Sequence, residues 1–219
     1  MKDIRELWTR VEHWVDNQPA LPPPEAVFRP PACAAQIEAT EQALDHSFSE
    51  SFRASLLVHD GQLIPRVDRW FDDGIECLQW LPNQMVLLPL QDILTCWRDE
   101  RAFEVENASD VEGMEEETSG SDRIRGFPTV THAGRLPIAE QEGSTYMYLD
   151  FVPGPAGVLG QVIFSKNECE FLVAGNDFGN FLARYVDLLE RDVLRYDADA
   201  HHSVIPADPH VSFEDLLEL

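Results

Sequence analysis

Residues 149 to 163 read LDFVPGPAGVLGQVI, in which two apolar runs flank a stretch rich in proline and glycine. Such a stretch is typical of a turn between two paired strands. The glycines at 154, 157 and 160 also suggest a loop that binds phosphate. However, the segment lacks the lysine of a P-loop and leads into a strand, so it has no helix N-terminus for a phosphate group. We therefore predict a turn between two core strands and no nucleotide site.

The chain around this turn is predicted to be helical in its first half and largely β in its second. Apolar spacing predicts helices over residues 4–15, 32–44 and 49–58, from residue 90 onward, and over residues 176–192. Ser49 is the expected N-cap of the third helix, and Asn176 or Asp177 that of the last. β-branched and aromatic residues predict strands at residues 136–139, 145–151, 160–165 and 170–173, and short strands within residues 63–80. A proline-rich connector spans residues 18–31. The pattern indicates an α+β fold, and 219 residues are enough for a single domain.

The net charge narrows the classes of partner. The chain has 16 Lys and Arg against 40 Asp and Glu, a net charge of −24. A protein this acidic repels phosphate backbones and anionic membrane surfaces, so we expect neither nucleic acid nor membrane as a partner. Strong acidity serves solubility in many proteins, and in others it marks a surface that meets a basic protein.

The acidic residues are concentrated between residues 99 and 122. This stretch has ten acidic residues and one basic residue, Arg101, which gives a net charge of −9. Self-repulsion among them predicts a mobile loop or insertion, which is either a solvated face or a surface for a partner. The candidate partner-binding residues are Glu104, Glu106, Asp110, Glu112, Glu115, Glu116 and Glu117 in this stretch, and Asp72 and Asp73 in the predicted turn before Gly74.

The motifs of the common enzyme classes are missing from the sequence. It contains no G-x-S-x-G elbow, no P-loop and no H-E-x-x-H, and its acidic residues fall mostly in polar stretches rather than in a buried, differently tuned pair. The four cysteines are scattered at positions 33, 77, 96 and 169, without the spacing of a zinc site. We therefore expect no enzyme, no cofactor and no metal.

We expect neither a secretory signal nor a membrane anchor in this chain. The N-terminal residues lack the apolar core of a secretory signal, and no apolar run is long enough to cross a membrane, so we expect a cytoplasmic protein. Residues 193–219 are interpreted as a polar tail in which His201, His202 and His210 lack the framework of a metal site. We expect Phe213, Leu216 and Leu217 to dock as a short amphipathic turn. The domain itself is expected to span residues 1–192.

The ordered set of segments resembles the SUKH superfamily of Smi/Knr-like proteins. The motifs of that family are matched by Trp8, Val11, Glu12 and Trp14; by Ile37, Glu41 and Leu44; by His59, Asp60, Gly61 and Gln62; by residues 87–94; by Pro137 and Ile138; by Leu149, Asp150 and Pro153; by Gly157, Gly160, Gln161, Val162 and Ile163; and by Phe178, Phe181 and Leu182. The chain departs from the pattern at Leu136, where tryptophan is usual, at Asp45 and at Gly143–Ser144. It also has Val152 in place of a second aspartate, and this substitution favours a structural role for Asp150 as an acceptor for backbone donors in the following turn.

The resemblance implies a single α+β domain with a central, mostly antiparallel sheet flanked by helices, no cofactor, and a function in protein–protein contact. In bacterial members of the family this contact typically neutralises a toxin, and our leading hypothesis is an immunity protein that blocks a cognate, basic toxin domain. The alternatives are a regulatory scaffold of the fungal cell-wall kind and an enzyme acting at Asp150. The residues assigned a structural role by the motifs are Trp8, Asp60, Gly61, Gln62, Pro137, Asp150, Pro153, Gly160 and Gln161.

Overall fold

A computed structural model describes residues 3–63, 78–106, 121–127, 131–141, 145–165, 171–200 and 203–217. The helices in these ranges are α1 (Ile4–Asp16), α2 (Pro24–Val27), α3 (Ala34–Leu44), α4 (Glu50–Leu56), α5 (Leu90–Glu106), α6 (Phe178–Glu190) and α7 (Phe213–Leu217). The strands are β1 (Val86–Leu87), β2 (Arg135–Gln141), β3 (Thr145–Asp150), β4 (Gln161–Ser165), β5 (Phe171–Gly175), β6 (Leu194–Asp197) and β7 (Ser203–Pro206).

The first five strands form one sheet in the order β1-β2-β3-β4-β5, and every neighbouring pair is antiparallel. Strands β6 and β7 form a separate two-stranded hairpin. Helices α1, α4 and α6 pack on one another, and α6 also contacts β4 and β5. The α+β fold class and the single domain with a central antiparallel sheet are therefore confirmed.

Strand β3 shows how the two faces of the sheet differ. Its side chains alternate, as the pleat of a strand requires. Met147 and Leu149 enter the large hydrophobic core, whereas Tyr148 belongs to a smaller cluster on the other face, against which Tyr146 packs. The large core also contains the apolar faces of α1 and α6, so the helices cover one face of the sheet with apolar side chains.

Trp8 of α1 lies at the centre of the large core. It is fully buried, and its indole Nε1 donates a hydrogen bond to the Ser55 hydroxyl of α4 at 2.9 Å. Its ring contacts the rings of Phe28, His59 and Trp80 with centroid separations of 4.9 to 5.5 Å. The tryptophan of the first motif is therefore the residue that joins α1 to three other parts of the chain.

The helix starts follow the predicted capping chemistry. The Ser49 hydroxyl accepts a hydrogen bond from the Phe52 amide and caps α4, and the Asp177 carboxylate accepts one from the Asn180 amide and caps α6. Of the two candidate caps for the last long helix, Asp177 is the one used. Each cap satisfies one backbone donor that the first helical turn leaves without a partner.

The motif Asp60–Gly61–Gln62 connects the end of α4 to the start of α5. The Asp60 carboxylate accepts a hydrogen bond from the Leu90 amide at 2.9 Å. Gly61 has φ of +71°, and a Cβ atom there would lie 2.5 Å from the carbonyl carbon of Leu88, so only glycine fits. The buried Gln62 side chain accepts from the Leu87 amide and donates to the Leu78 carbonyl. These residues fix the edge of the sheet.

The remaining motif residues lie around β2 and the turn after β3. Pro137 is buried in β2, next to a shift in register between Pro137 and Ala139, where a strand tolerates a residue without an N–H donor. Gly160 has φ of +77° and donates its N–H to the Asp150 carbonyl at 2.7 Å. The Pro153 ring borders Gly157, where an added Cβ would lie 2.6 Å from it.

The structure differs from the prediction at the C-terminal half of α5, where the acidic loop was expected to begin. Residues 99–106 were assigned to a mobile loop on the basis of their charge, but they continue α5 to Glu106. Glutamate, arginine and alanine favour helices, and contacts of this half with the sheet outweigh the repulsion between its carboxylates. Residues 107–120 lie outside the described residues.

Residues 193–217 also differ from the expected polar tail. Leu194 and Val204, on opposite strands of the β6–β7 hairpin, are fully buried and belong to the large core. Each strand carries only a short apolar pair at its start, Val193–Leu194 or Val204–Ile205, between polar or proline-containing residues, so the local strand signal is weak. Phe213 and Leu217 of α7 are buried, in agreement with the expected docking of the chain end, while Leu216 is only partly buried.

The segment in which the sequence predicts short strands, residues 63–80, is only partly described. Of the segment expected to form short strands, residues 64–77, which include Asp72–Asp73–Gly74, lie outside the described residues. Gln79 forms an isolated parallel bridge with Ser203.

None of the helices in the described ranges combines the length and the apolar character that a membrane span requires.

Candidate partner-binding face

The face of the sheet opposite the large core contains buried polar side chains. Arg135, Asp150 and Gln161 are neighbours on three adjacent strands, because Arg135 pairs with Asp150 and Asp150 pairs with Gln161. Arg135 is 2% exposed, and the other two are fully buried. The sequence motifs identify Asp150 and Gln161. Arg135 was missed, because its position beside them becomes visible only when the strand register is known.

Asp150 uses both carboxylate oxygens within this face. Oδ1 accepts a hydrogen bond from the Val152 amide at 3.1 Å, and Oδ2 accepts one from the Gln161 side-chain amide at 3.0 Å. Asp150 therefore accepts one backbone donor of the following turn, the kind of contact expected from the sequence. Burial raises the pKa of Asp150, and the Gln161 hydrogen bond, the charge of Arg135 and the Val152 amide act in the opposite direction. With both oxygens engaged and the side chain enclosed, Asp150 serves the structure of the turn.

The turn after β3 also holds a second segment of the chain, residues 121–124. The Gly154 amide and the Gln161 side-chain amide both donate to the Arg123 carbonyl at 2.9 Å. A Cβ atom on Gly157 would lie 2.2 Å from that carbonyl oxygen, and one on Gly154 would lie 2.4 Å from the Asp122 carbonyl oxygen. Both glycines are therefore required by the close approach of the two backbones, a function that a turn prediction alone does not reveal.

Arg135 fixes the next residues of this segment. Its guanidinium group lies 4.9 Å from the ring centroid of Phe127 and 4.4 Å from that of Phe171, and it donates to the Arg125 carbonyl at 2.6 Å. Ile124 packs into the smaller cluster beside Tyr148 and Ile163. Residues 121–127 are thus held against the sheet by defined contacts.

Two hydrogen bonds fix the middle of α5, one to the chain just before β2 and one to β3. Trp97 Nε1 donates to the Ala133 carbonyl at 2.9 Å, and the Tyr148 hydroxyl donates to Glu100 Oε1 at 2.9 Å. The other Glu100 oxygen is buried and has no hydrogen-bond partner among the described residues. The pKa of Glu100 is raised to about 7, chiefly by burial and to a smaller degree by Glu104 and Glu140, while the Tyr148 hydrogen bond and the charge of Arg135 act in the opposite direction.

Further carboxyl groups lie around Glu100. Burial raises the pKa values of Asp92, Glu104 and Glu140, and the charge of Asp92 adds to the effect at Glu140. Burial and the neighbouring carboxylates raise the pKa of the Cys96 thiol to about 12, so this thiol is a poor nucleophile at neutral pH. A cationic group placed here would relieve both the desolvation and the repulsion of the carboxylates. The arrangement is suited to binding a basic group and not to nucleophilic chemistry.

The structure describes two of the nine predicted partner-binding residues. Glu104 and Glu106 lie on the last turn of α5, where Glu104 is half-buried near Glu100 and Glu106 is exposed. The other seven, Asp72, Asp73, Asp110, Glu112, Glu115, Glu116 and Glu117, lie outside the described residues. Glu100 and Glu140 were not predicted as members of this face, although the helical spacing of Glu100 and Glu104 offers a signal for the first.

The described histidines, cysteines and acidic residues include no group of three or more that could hold a metal ion. His210 is exposed, and His201 and His202 lie outside the described ranges. His59 is engaged in the fold, with Nε2 2.8 Å from a carboxylate oxygen of Glu12.

Comparisons with known proteins agree with the sequence motifs. The model of the SMI1 / KNR4 family (SUKH-1) matches residues 31–184. A similar curated protein is the cell wall biosynthesis/cell cycle regulator smi1 of Schizosaccharomyces pombe, which is 25% identical over 190 residues. The alignment covers 82% of this chain and 35% of the yeast protein, so the chain spans about a third of its relative's length.

Proposed function

Because the chain belongs to the SMI1 / KNR4 (SUKH-1) family, we propose that it is a non-enzymatic protein-binding domain, namely an immunity protein that neutralises a cognate bacterial toxin by direct binding. The single observation that carries the proposal is the set of partly buried carboxyl groups on α5 and β2. Asp92, Glu100, Glu104 and Glu140 all have raised pKa values because the fold withdraws them from water.

The energetics of this face favour a basic partner. Holding like charges close together in a partly desolvated place costs folding free energy, and perturbed carboxyl groups of this kind are common at functional sites. Arg29 and Arg135 offset part of the charge, at Asp92 and Glu100 respectively. A Lys- or Arg-rich surface would supply the remaining compensation, and the net charge of −24 would speed the encounter by electrostatic steering.

The same face supports binding over catalysis. Asp150 is enclosed and has both oxygens in hydrogen bonds, and the Cys96 thiol is held in its protonated form. Neither group offers a reactive atom to a substrate. We propose that the protein works in the cytoplasm, where it would occlude the active cleft of the toxin before the toxin reaches its target.

Co-expression tests this proposal. The chain is expressed with the toxin domain encoded beside its gene, and the survival of the host and the Kd of the purified pair are measured. We expect survival with the wild-type chain and a Kd that rises with salt, because ions screen the charges that attract the two proteins. A toxin that neither binds the chain nor loses its toxicity would overturn the proposal.

A second candidate function is supported by the yeast relative, which is a regulator of cell wall biosynthesis and the cell cycle. In this case the chain would act as a regulatory scaffold that binds several proteins. The test is to replace the matching region of the yeast protein with this chain. If the chimaeric protein restores the growth of a yeast strain that lacks the yeast protein, the result favours the regulatory role. If it does not restore growth, the result favours the immunity role.

A further inference from the structure

Phe103 is an exposed aromatic residue on the last turn of α5. It is 57% exposed, which is unusual for a phenylalanine in a folded domain. Asp99 precedes it by four positions and Glu106 follows it by three, so both exposed carboxylates lie on the same flank of the helix. An aromatic side chain within a charged rim is a common arrangement at the centre of protein interfaces.

The same flank continues toward the start of α5. Cys96 and Asp92 lie seven and eleven positions before Phe103, and this spacing keeps them on one side of a helix with 3.6 residues per turn. The charges of Glu140, Asp92 and Asp99 all act on the Cys96 thiol, so Glu140 of β2 borders this flank. We call Asp92, Cys96, Asp99, Phe103 and Glu106 the Phe103 strip.

The opposite flank of α5 has a different character. Arg98, Arg101 and Val105 lie there, because each is about half a turn or more from Phe103 around the helix axis. The Arg101 guanidinium group lies 5.6 Å from the centroid of the Trp97 ring. The helix therefore separates its charges, with the exposed acidic residues on the Phe103 strip and the two arginines on the other side. Val105 is 71% exposed and provides a matched apolar control on the same helical turn.

We propose that the Phe103 strip is the surface on which a basic amphipathic segment of the partner protein docks, with Phe103 in an apolar seat and Lys or Arg side chains opposite Asp99 and Glu106. This inference rests on the proposed function and assigns its surface. A second copy of this chain would bring Asp99 and Glu106 against like charges. Nucleic acid and anionic lipid would be repelled for the same reason. A basic protein segment is the occupant that the charge and the aromatic residue favour together.

The test uses a synthetic helical peptide of leucine and lysine, with the leucines on one face, titrated into the full-length ¹⁵N-labelled chain at physiological salt. We expect the largest amide shifts between residues 92 and 106. The variant Phe103→Ala should weaken the Kd by about thirtyfold. The double variant Asp99→Lys/Glu106→Lys should weaken it by about tenfold. Circular dichroism before each titration verifies that the variants are folded.

Two controls separate the strip from the general charge of the protein. Val105→Ala removes apolar surface from the opposite flank, and Glu6→Lys/Asp16→Lys makes the same charge change on exposed positions of α1. Both should leave the Kd within about twofold of the wild type. If either control weakens binding as much as its counterpart on the strip, or if the largest shifts fall outside residues 92–106, the inference is overturned.

The toxin assay distinguishes this inference from the proposed function. A toxin that is bound and neutralised equally well by the wild type and by the Asp99→Lys/Glu106→Lys variant overturns the strip and leaves the proposed function standing. A toxin that is neither bound nor neutralised overturns the proposed function. The peptide titration then still decides whether the strip binds a basic segment.

Discussion

The two faces of the five-stranded sheet serve different purposes. One face packs against α6 through apolar residues such as Leu149 and Val162, within the core that surrounds Trp8. The other face buries Arg135, Asp150 and Gln161, and it holds residues 121–127 and the C-terminal half of α5 through hydrogen bonds. The first face supplies stability through burial of apolar area. The second face holds charged segments through polar contacts. Its contribution to stability therefore depends on pH, and it falls when one member of a hydrogen-bonded pair is removed.

The largest effect is expected on the apolar face. Trp8→Ala should lower the free energy of unfolding by about 4 kcal/mol, because it leaves a cavity among Phe28, His59 and Trp80 and removes a donor from Ser55. Urea denaturation measures the change. Trp97→Ala, at a tryptophan that is only partly buried against the same large core, is the matched control and should cost less than half as much. Equal losses would show that the central position of Trp8 in the core adds nothing to its contribution.

A somewhat smaller effect is expected at the centre of the polar face. Asp150→Ala should cost about 3 kcal/mol, because the Val152 amide and the Gln161 side chain lose an acceptor and Arg135 loses a neighbouring negative charge. Asp150→Asn retains the size and one acceptor oxygen, so it should cost less. An enzyme acting through Asp150 would instead lose its activity in both variants while remaining stable, which thermal denaturation would reveal.

The pH dependence of stability also distinguishes the two faces of the sheet, because only the polar face contains Glu100. Its pKa is about 7 in the folded protein, against an ordinary value of 4.5. A carboxyl group with a raised folded pKa destabilises the protein progressively as pH rises from about 4.5 through about 7. Glu100→Gln should therefore gain about 2 kcal/mol in stability relative to the wild type between pH 5 and pH 8. Urea denaturation at the two pH values measures this, and parallel behaviour of the two proteins would show that Glu100 is not desolvated.

The smallest effect is expected where the turn holds residues 121–124. Gly157→Ala places a methyl group 2.2 Å from the Arg123 carbonyl oxygen, and the segment must move to accommodate it. We expect a loss of about 1 kcal/mol, because local movement relieves most of the clash. Hydrogen exchange should show faster exchange at the Gly154 and Ile124 amides and unchanged exchange in α1. A change in α1 would mean that the two faces are coupled more strongly than the contacts indicate.

The apolar face was the more predictable of the two. Helices α1 and α6 follow from the spacing of their apolar residues, and Ser49 and Asp177 follow from capping chemistry. The polar face depends on the pairing of Arg135 with Asp150 and of Asp150 with Gln161, and strand register is not written in the local sequence. Family motifs identified two of these three residues without indicating what they contact.

Two errors in the sequence analysis have a common physical origin. The last turns of α5 were expected to be a loop because charge was weighed above helix propensity, and the β6–β7 hairpin was expected to be a tail because its sequence is largely polar and interrupted by proline. In both cases a few contacts distant in sequence stabilise a segment whose own composition is polar. These contacts are Tyr148 with Glu100 in the first case and the large core with the hairpin in the second.

Gly154 and Gly157, the two glycines that allow residues 122 and 123 to approach the turn closely, have a consequence for protein engineering. They fix the chain at residues 121–124, just as the Tyr148 hydrogen bond fixes α5 before Glu106, so the attachment points on either side of residues 107–120 are both set by the folded frame. A change in the sequence or length of residues 107–120 should therefore leave the contacts of residues 121–124 and of Glu100 in place, because the chain on each side keeps its own anchors.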